Sequence, residues 1–170
     1  SEVARQLVKC QSNFVLNFDK LTYAGNLDSL SAIQQHDNYE FFHGDICDSV
    51  AVNEAIEKFQ PNIIIHLAAE SHVDRSIDGP SEFIRTNVFG TYQMLDSAWQ
   101  YFQSLSKKEQ GRFRFHHVST DEVYGDLGSS GGCFVETSAY DPSSPYSASK
   151  ASSDHLVRAW HRTFGLPILI

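Results

Sequence analysis

The sequence has few cysteines, no block of basic residues and no long apolar run, and each shortage narrows the function. The 170 residues carry a net charge of −8 without a basic stripe, which argues against binding to nucleic acid or to anionic membranes. The longest apolar run, NIIIHLAA at 62–69, is far too short to span a bilayer. The opening SEVARQLVKC is amphipathic and carries an acid, so it lacks the pattern of a signal peptide. We therefore expect neither a nucleic-acid partner nor a membrane partner.

The cysteines and histidines give no metal-binding pattern. Cys10, Cys47 and Cys133 are scattered and odd in number, which predicts a reducing compartment, and we expect the cytoplasm. Of the eight histidines, His116 and His117 are neighbours in a predicted strand, so their side chains should point to opposite faces. With no ligand spacing present, the sequence predicts no metal site.

Short apolar runs alternate with helical patterns along the chain. Strands are predicted at FVLNF (14–18), YEFFH (39–43), IIIHL (63–67), FRFHHVS (113–119) and LPILI (166–170). Helices are predicted at 1–9, at 48–59 with Asp48 as cap, over most of 81–105, and from Ser144 and Pro145 to Gly165. This alternation predicts one α/β domain with a doubly wound parallel sheet and right-handed crossovers.

Open parallel sheets bind ligands at the carboxyl ends of their strands, so the residues that follow each strand are the first candidates. Asp19 follows the first run and could take both hydroxyls of an adenosine ribose; it would repel a 2′-phosphate, which favours NAD over NADP. A turn cap is the alternative for Asp19. Lys20 could screen phosphate charge or be a solvated lysine. Asp45 could accept a hydrogen bond from the adenine amino group, or be a turn aspartate beside Gly44.

The next two strands are followed by small and polar residues. Ala68 and Ala69 have almost no side chain, so a cofactor could lie against their backbone, although small residues also suit helix packing. Ser71 and His72 would then rim the pocket. After the fourth strand, the same cleft should be lined by Thr120, Asp121 and Glu122, unless these are only a polar strand end.

Tyr146 and Lys150 are four residues apart at the start of a helix and should share one face. A phenol has a pKa near 10, and a nearby ammonium and a donating hydroxyl lower it. A pKa shift of about three units requires roughly 4 kcal/mol and would give a base for an alcohol near neutral pH. The spacing alone is a weak signal, but its position one segment after STDEVYG strengthens it.

Several long motifs resemble the extended short-chain dehydrogenase/reductases that act on nucleotide sugars, and among these the dehydratases. They are DKLTYAGN, GDICD, HLAAESHVDRSI, STDEVYGD and SPYSASKASSDHLVRAWHRTFGLP, and the similarity runs through nearly all of the chain. The resemblance implies a Rossmann-type fold, NAD as cofactor, dTDP-glucose as substrate and a homodimer at full length.

The resemblance also implies residue roles. NAD contacts would come from Asp19, Lys20, Leu21, Thr22, Asp45, Ile46, Leu67, Ala68, Ala69, Ser71, Thr86, Tyr146 and Lys150. Tyr146 would be the base and Lys150 its partner, while Thr120 would hold the sugar hydroxyl near C4, with Ser71 close by. Asp121 would protonate the leaving C6 hydroxyl, and Glu122 would take the C5 proton. The substrate would thus meet Ser71, Thr120, Asp121, Glu122 and Tyr146.

The Asp121–Glu122 pair favours dehydration over epimerisation. An epimerase only oxidises and re-reduces one carbon, whereas a dehydratase must also give one proton and remove another. Neighbouring carboxyl groups can divide these tasks where their environments differ. The alternatives are another nucleotide-sugar dehydratase, epimerase or decarboxylase acting on UDP- or GDP-sugars, and a non-catalytic dinucleotide-binding protein.

The family begins with a strand and a G-x-x-G-x-x-G loop, whereas this chain opens within what should be the first helix. We therefore expect residues 1–170 to be a partial NAD-binding domain of a larger enzyme that also has a substrate-nucleotide domain. In the strand order 3-2-1-4-5-6 the absent strand is central, so two strands should lack a shared partner. We expect the isolated chain to bind NAD poorly and to be inactive, because the phosphate loop is missing.

Overall fold

A computed structural model describes residues 1–128 and 131–170 and contains parallel strands covered by helices. The strands are β1 (Val15–Asp19), β2 (Tyr39–His43), β3 (Ile63–His66), β4 (Arg114–His117) and β5 (Ile168–Leu169). The α-helices are α1 (Glu2–Lys9), α2 (Ser49–Phe59), α3 (Val73–Asp78), α4 (Pro80–Phe83), α5 (Thr91–Ser104), α6 (Lys107–Gln110) and α7 (Pro145–Phe164). Short 3-10 helices span Leu27–Leu30 and Asp121–Tyr124, and a π-helix spans Ile84–Gly90. No helix in this described part is both long and apolar enough to cross a membrane.

The strands form two separate parallel sheets. β1 pairs with β2, with Val15 opposite Tyr39, and the second sheet has the order β3-β4-β5, with Ile63 opposite Arg114. Among the described residues, β1 and β3 are not hydrogen-bonded to each other. The α/β class with a parallel sheet is confirmed, and the break between β1 and β3 lies where the sequence predicted two strands without a shared partner.

The ends of the two best-predicted helices are fixed by the expected residues. Asp48 caps α2 by accepting hydrogen bonds from the backbone N–H groups of Val50 and Ala51 at 2.9 and 3.3 Å. Ser144 caps α7 and Pro145 is its first residue. Gly165 ends α7 in the left-handed conformation, with φ of 74°. These local signals lie in the sequence and need no tertiary contact.

The long helix predicted over 81–105 is interrupted. α4 begins at Pro80, but residues 84–90 form a π-helix before α5 continues to Ser104. A Cβ added at Gly90 would lie 2.6 Å from Ile46 Cδ1, so this helix packs directly against the turn after β2. π-Helical turns are rare and are found mostly at functional sites.

The buried core has two parts, one beside each sheet. A large cluster joins β4, α5 and α7 and contains Leu95, Ala98, Phe113, Phe115, Val157 and Leu166. A smaller cluster of Val8, Leu30 and Ile33 packs α1 and the first 3-10 helix near β1 and β2. His117 is buried at 1% exposure whereas His116 is only partly buried, which agrees with their predicted opposite faces.

The predicted loop GDLGSSGG includes Ser129 and Ser130, which lie outside the described residues. Gly125, Gly128 and Gly131 have the spacing of a phosphate-binding loop. Gly125, however, follows a 3-10 helix rather than a strand, so the structural context of such a loop is missing.

Candidate functional site

A cleft of about 190 Å³ lies at the carboxyl ends of β1, β2 and β3. Most of the predicted cofactor contacts line it: Asp19, Lys20, Thr22, Asp45, Ile46, Leu67, Ala68, Ala69 and Thr86. Its lining also includes Phe18, Ala24, Gly25, Gly44 and Glu70, which the sequence analysis had not assigned to the cofactor. The lining does not include Leu21, Ser71, Tyr146 or Lys150. The fold therefore brings most, but not all, of the predicted cofactor contacts to this cleft.

Asp19 has two roles in the turn after β1. Its side chain lines the cleft and also accepts a hydrogen bond from the backbone. Asp19 Oδ1 accepts a hydrogen bond from the Leu21 N–H at 2.8 Å. Leu21 has a φ of 53°, an uncommon conformation for a residue with a side chain. A Cβ at Gly25 would lie 2.7 Å from the Leu21 Cα, so the loop closes tightly on itself. The turn-cap alternative for Asp19 is thus realised, and the side chain still lines the cleft.

Lys20 and Asp45 form an ion pair inside the cleft. Lys20 Nζ lies 2.7 Å from Asp45 Oδ2, and Asp45 Oδ1 accepts a hydrogen bond from the Cys47 N–H at 2.9 Å. Burial raises the pKa of Asp45, but the hydrogen bonds from Lys20 and Cys47 outweigh it and lower that pKa. The hydrogen bond to Asp45 raises the pKa of Lys20. The positive and negative charges of the two predicted contacts therefore already balance each other.

Asn87, which the sequence analysis missed, holds the loop after β3. It lies in the π-helix and is 1% exposed. Its Oδ1 accepts from the Glu70 N–H at 2.8 Å, and its Nδ2 donates to the Glu70 carbonyl at 2.9 Å and to Ser149 Oγ at 2.8 Å. Asn87 thereby connects the cleft to α7. The sequence signal that could have identified Asn87 is an amide side chain on the buried face of the predicted helix.

A second missed group lies between the loops after β1 and β3. The Arg75 guanidinium stands 3.6 Å from the centroid of the Tyr23 ring, and the Tyr23 hydroxyl donates to Glu70 Oε2 at 3.2 Å. These contacts connect the two sheets, which share no strand pairing in the described residues.

The paired acids Asp121 and Glu122 follow β4 and lie in the first turn of a 3-10 helix. Thr120 caps the 3-10 helix: its Oγ1 accepts from the Glu122 N–H and donates to Asp121 Oδ1, both at 3.3 Å. Asp121 and Glu122 are exposed in its first turn. The chain therefore leaves a buried strand and presents a hydroxyl and two carboxylates within one turn.

Tyr146 and Lys150 lie on the first turns of α7 and are 8% and 5% exposed. Lys150 Nζ donates to the Val118 carbonyl at 2.6 Å, which places the ammonium at the end of β4. The pKa of Lys150 is lowered by burial, and the charge of Asp154 opposes this shift. The structure thus brings α7 against the end of β4 that leads into Thr120.

The expected lowering of the Tyr146 pKa is wrong for this structure. Burial raises the pKa of Tyr146, the hydroxyl of Thr120 lowers it, and the charges of Glu122 and Asp121 raise it further. Burial prevails, and the ammonium of Lys150 is bonded to the Val118 carbonyl instead. The hydrogen bond with Thr120 places the phenol at the start of the 3-10 helix that carries Asp121 and Glu122.

The parallel fold, with its cleft at the strand ends, defines a domain of the NAD-binding type found in nucleotide-sugar dehydratases and epimerases. A family profile described as GDP-mannose 4,6 dehydratase matches residues 1–170, and the chain belongs to this family.

The chain is similar to curated enzymes over its whole length. It is 55% identical over 178 residues to the dTDP-glucose 4,6-dehydratase of Salmonella typhimurium, covering 100% of this chain and 49% of that protein. It is 59% identical over 170 residues to a probable dTDP-glucose 4,6-dehydratase of Sinorhizobium fredii, covering 100% of this chain and 48% of that protein. The chain spans about half the length of the curated relatives it matches.

Solved structures share the fold. The crystal structure of the dTDP-glucose 4,6-dehydratase DesIV from Streptomyces venezuelae, with NAD and dTDP bound, gives a TM-score of 0.83 at 42% identity. The match covers 98% of this chain and 48% of DesIV. A UDP-glucose 4-epimerase from Thermus thermophilus with NAD gives 0.81 at 26% identity, covering 98% and 48%.

Proposed function

We propose that this chain supplies the NAD-binding cleft and the catalytic side chains of a dTDP-glucose 4,6-dehydratase, a hydro-lyase. The product would be dTDP-4-keto-6-deoxyglucose. The observation that carries this proposal is that Asp121 and Glu122 lie in the helical turn capped by Thr120, whose hydroxyl is hydrogen-bonded to Tyr146, because an epimerase has no use for two further proton-transfer groups. Identities of 55% and 59% to curated dehydratases support the substrate.

The cleft suits NAD. Ala68 and Ala69 leave room against the backbone, and Asp19 offers a carboxylate at the end of β1. The adenine amino group would meet Asp45, and its partner Lys20 would screen phosphate charge. NAD, when bound, supplies the acceptor for the hydride from C4 and later its donor to C6.

Tyr146 would remove the proton from the C4 hydroxyl as the C4 hydride leaves. Its phenolate would be stabilised by the Thr120 hydroxyl, which already lowers the pKa of this phenol. Lys150, fixed by the Val118 carbonyl, would contribute positive charge beneath the nicotinamide ribose. This step converts the C4 alcohol to a ketone.

The ketone acidifies the C5 proton and so permits elimination. Glu122 takes that proton, Asp121 gives a proton to the C6 hydroxyl, and water leaves with a C5–C6 double bond formed. Glu122 would then return its proton to C5 as C6 regains the hydride, so that the cofactor would end unchanged. The 3-10 helix presents both carboxyl groups to solvent, from which they can exchange protons.

The test uses the complete gene product that contains these residues. Incubation with dTDP-glucose should yield a product lighter by one water in mass spectrometry. Tyr146→Phe should abolish the transient NADH absorbance, whereas Glu122→Gln should keep it and slow elimination by about 100-fold or more, the scale of a lost acid–base group. Tyr101→Phe, on α5 and packed against Phe113, serves as the matched control.

Wild-type turnover in both Tyr146→Phe and Glu122→Gln would contradict the assigned roles. Dehydration of a UDP- or GDP-sugar in place of dTDP-glucose would contradict the nucleotide while leaving the reaction class intact. An epimerised product would overturn the dehydratase in favour of an epimerase.

We also propose that the complete gene product is a homodimer. Ile84, Phe89 and Tyr92 are exposed apolar side chains, and together with Val88 of the π-helix and Leu156 of α7 they line one surface. Phe89→Glu should convert a dimer to a monomer in sedimentation, because a charge would be buried in the contact. An unchanged dimer would place the contact elsewhere, and a monomeric wild-type protein would refute the proposal.

We place the protein in the cytoplasm. Cys10, Cys47 and Cys133 are all free thiols, as expected in a reducing compartment. Cell fractionation tests this, and recovery from an oxidising compartment would contradict it.

A further inference from the structure

A fully buried carboxylate, Asp154, lies on α7 one helical turn after Lys150. It is 0% exposed. Its Oδ2 accepts hydrogen bonds from Ser119 Oγ at 2.6 Å and from the Tyr140 hydroxyl at 2.9 Å. Its Oδ1 lies 3.1 Å from His117 Nε2. A buried carboxylate is costly unless it is paired and hydrogen-bonded, so this arrangement needs a physical reason.

The surrounding groups keep Asp154 ionised. Burial raises the pKa of Asp154, but the adjacent His117 ring and the hydrogen bonds from Ser119 and Tyr140 outweigh it and lower that pKa. Burial lowers the pKa of His117, and the neighbouring Asp154 opposes this shift. On its own helix, Asp154 lies one turn after the buried Lys150.

The other titratable neighbours do not replace that pairing. Burial lowers the pKa of His66 well below its usual value, so this histidine is neutral. Arg158 donates to the Tyr140 hydroxyl at 3.1 Å and reaches Asp154 only through that phenol. Asp154 is thus the carboxylate whose charge opposes the loss of the Lys150 proton.

The two hydroxyl donors to Asp154 lie on either side of the catalytic turn. Ser119 directly precedes Thr120. Tyr140 packs edge-to-face on Tyr124, the last residue of the 3-10 helix, with ring centroids 5.2 Å apart. The backbone supports this contact, because the Asp141 N–H donates to the Val123 carbonyl at 3.0 Å. One carboxylate therefore joins both ends of the turn to α7.

We propose that Asp154 is a positioning residue for the dehydratase reaction: through Ser119 and Tyr140 it fixes the turn that carries Thr120, Asp121 and Glu122, and it lies one helical turn after Lys150. The inference rests on the proposed function. Asp154 is not a catalytic residue, since it is buried behind the turn and has no access to the sugar.

The experiment compares Asp154→Asn with Tyr140→Phe in the complete gene product. Asp154→Asn keeps the shape and an acceptor but removes the charge. We expect kcat to fall by about tenfold to a hundredfold, as for a small misplacement of reacting groups, with KM for dTDP-glucose nearly unchanged. Because the Asp154 charge raises the pKa of Lys150, its removal should also move the alkaline limb of the kcat profile to lower pH.

Tyr140→Phe separates position from charge. It removes one hydrogen bond and leaves the carboxylate, so kcat should fall while the alkaline limb stays in place. This variant also keeps the inference testable if Asp154→Asn fails to fold. Asp96→Asn, a partly exposed carboxylate on α5 bonded to Gln100, is the matched control and should leave kcat unchanged.

Wild-type kcat in both Asp154→Asn and Tyr140→Phe, in a protein that turns over dTDP-glucose, would overturn the positioning role alone. A fall in kcat that merely follows a fall in folded fraction, with the pH profile unmoved in Asp154→Asn, would also overturn it. If the wild-type protein has no dehydratase activity, the proposed function fails first, and this inference fails with it.

Discussion

Three influences act on the pKa of the Tyr146 phenol, and they oppose one another. Burial on α7 raises its pKa, the Thr120 hydroxyl lowers it, and the Glu122 and Asp121 charges raise it. A base with a raised pKa is mostly protonated near neutral pH, so the resting site holds a phenol. Any change that removes a neighbouring negative charge should therefore release the proton more easily.

This balance gives a signed pH prediction for Glu122→Gln. The Glu122 carboxylate disfavours the phenolate, so its neutralisation lowers the pKa of Tyr146 and increases the phenolate fraction at a given pH. The ascending limb of the rate of transient NADH formation should move to lower pH. Stopped-flow absorbance across pH tests this in the complete gene product. A shift to higher pH would contradict the electrostatic arrangement.

Thr120→Val should shift the pKa of Tyr146 in the opposite direction. It removes the hydroxyl that lowers the Tyr146 pKa, and the ascending limb should move to higher pH. Two variants that shift in the same direction would contradict the opposite effects assigned to the Thr120 hydroxyl and the Glu122 carboxylate.

Among the secondary-structure elements, the π-helix controls how closely the helical layer approaches the cleft. Gly90 ends the π-helix, and its missing side chain allows Ile46 to pack at this position. Asn87, within the same element, holds the loop after β3 from the other side. A rare helical turn therefore connects both loops that line the cleft.

Gly90→Ala should destabilise the protein and weaken NAD binding. A Cβ would lie 2.6 and 2.8 Å from Ile46 Cδ1 and Cγ1, so Ile46 must move within the cleft lining. Overpacking costs about 1–3 kcal/mol, which exceeds the gain of about 0.5–1 kcal/mol from replacing a helical glycine. Thermal unfolding and NAD titration measure the two effects.

Gly111→Ala is the matched control for that experiment. Gly111 has a φ of −62°, and its nearest non-neighbouring atom would be an ordinary 3.5 Å from the new Cβ. Equal unfolding temperatures and NAD affinities for the two variants would contradict the close approach at Gly90.

At the scale of the whole molecule, the described residues connect the two sheets through side chains rather than through a strand ladder. Tyr23 with Arg75 and Glu70, and Gly90 against Ile46, span the region between them. Surface contacts of this kind are worth about 0.5–1 kcal/mol each, far less than a shared strand with its buried side chains. The packing of α2 against α5 also joins the two halves of the fold, so the walls of the cleft do not depend on these side chains alone.

We expect the 170-residue chain by itself to bind NAD weakly. Among the described residues no glycine-rich loop opens a helix, and β1 and β3 have no common partner. Calorimetric titration of the purified chain should show no micromolar binding, whereas the complete gene product should bind. Micromolar affinity in the 170-residue chain would contradict this expectation.

Much of the arrangement follows from the sequence because its signals are local. YEFFH forms β2 over the predicted residues. Asp48 and Ser144 cap the starts of their helices, and Gly165 ends α7, as expected. The candidate residues gather in one place because parallel strands end at a common edge of a sheet. The strand-end prediction therefore located Asp19, Asp45 and the alanines on a single cleft without knowledge of any contact.

The remaining features depend on which distant groups become buried together. FRFHHVS contributes only residues 114–117 to β4, and LPILI only Ile168 and Leu169 to β5, because strand length depends on the partner available. The raised pKa of Tyr146, the Lys20–Asp45 pair and the hydroxyl donors to Asp154 likewise come from elements far apart in the chain. Sequence spacing determined which groups meet at the strand ends, whereas desolvation and hydrogen bonding in the folded chain decided which of them are charged and which are already paired.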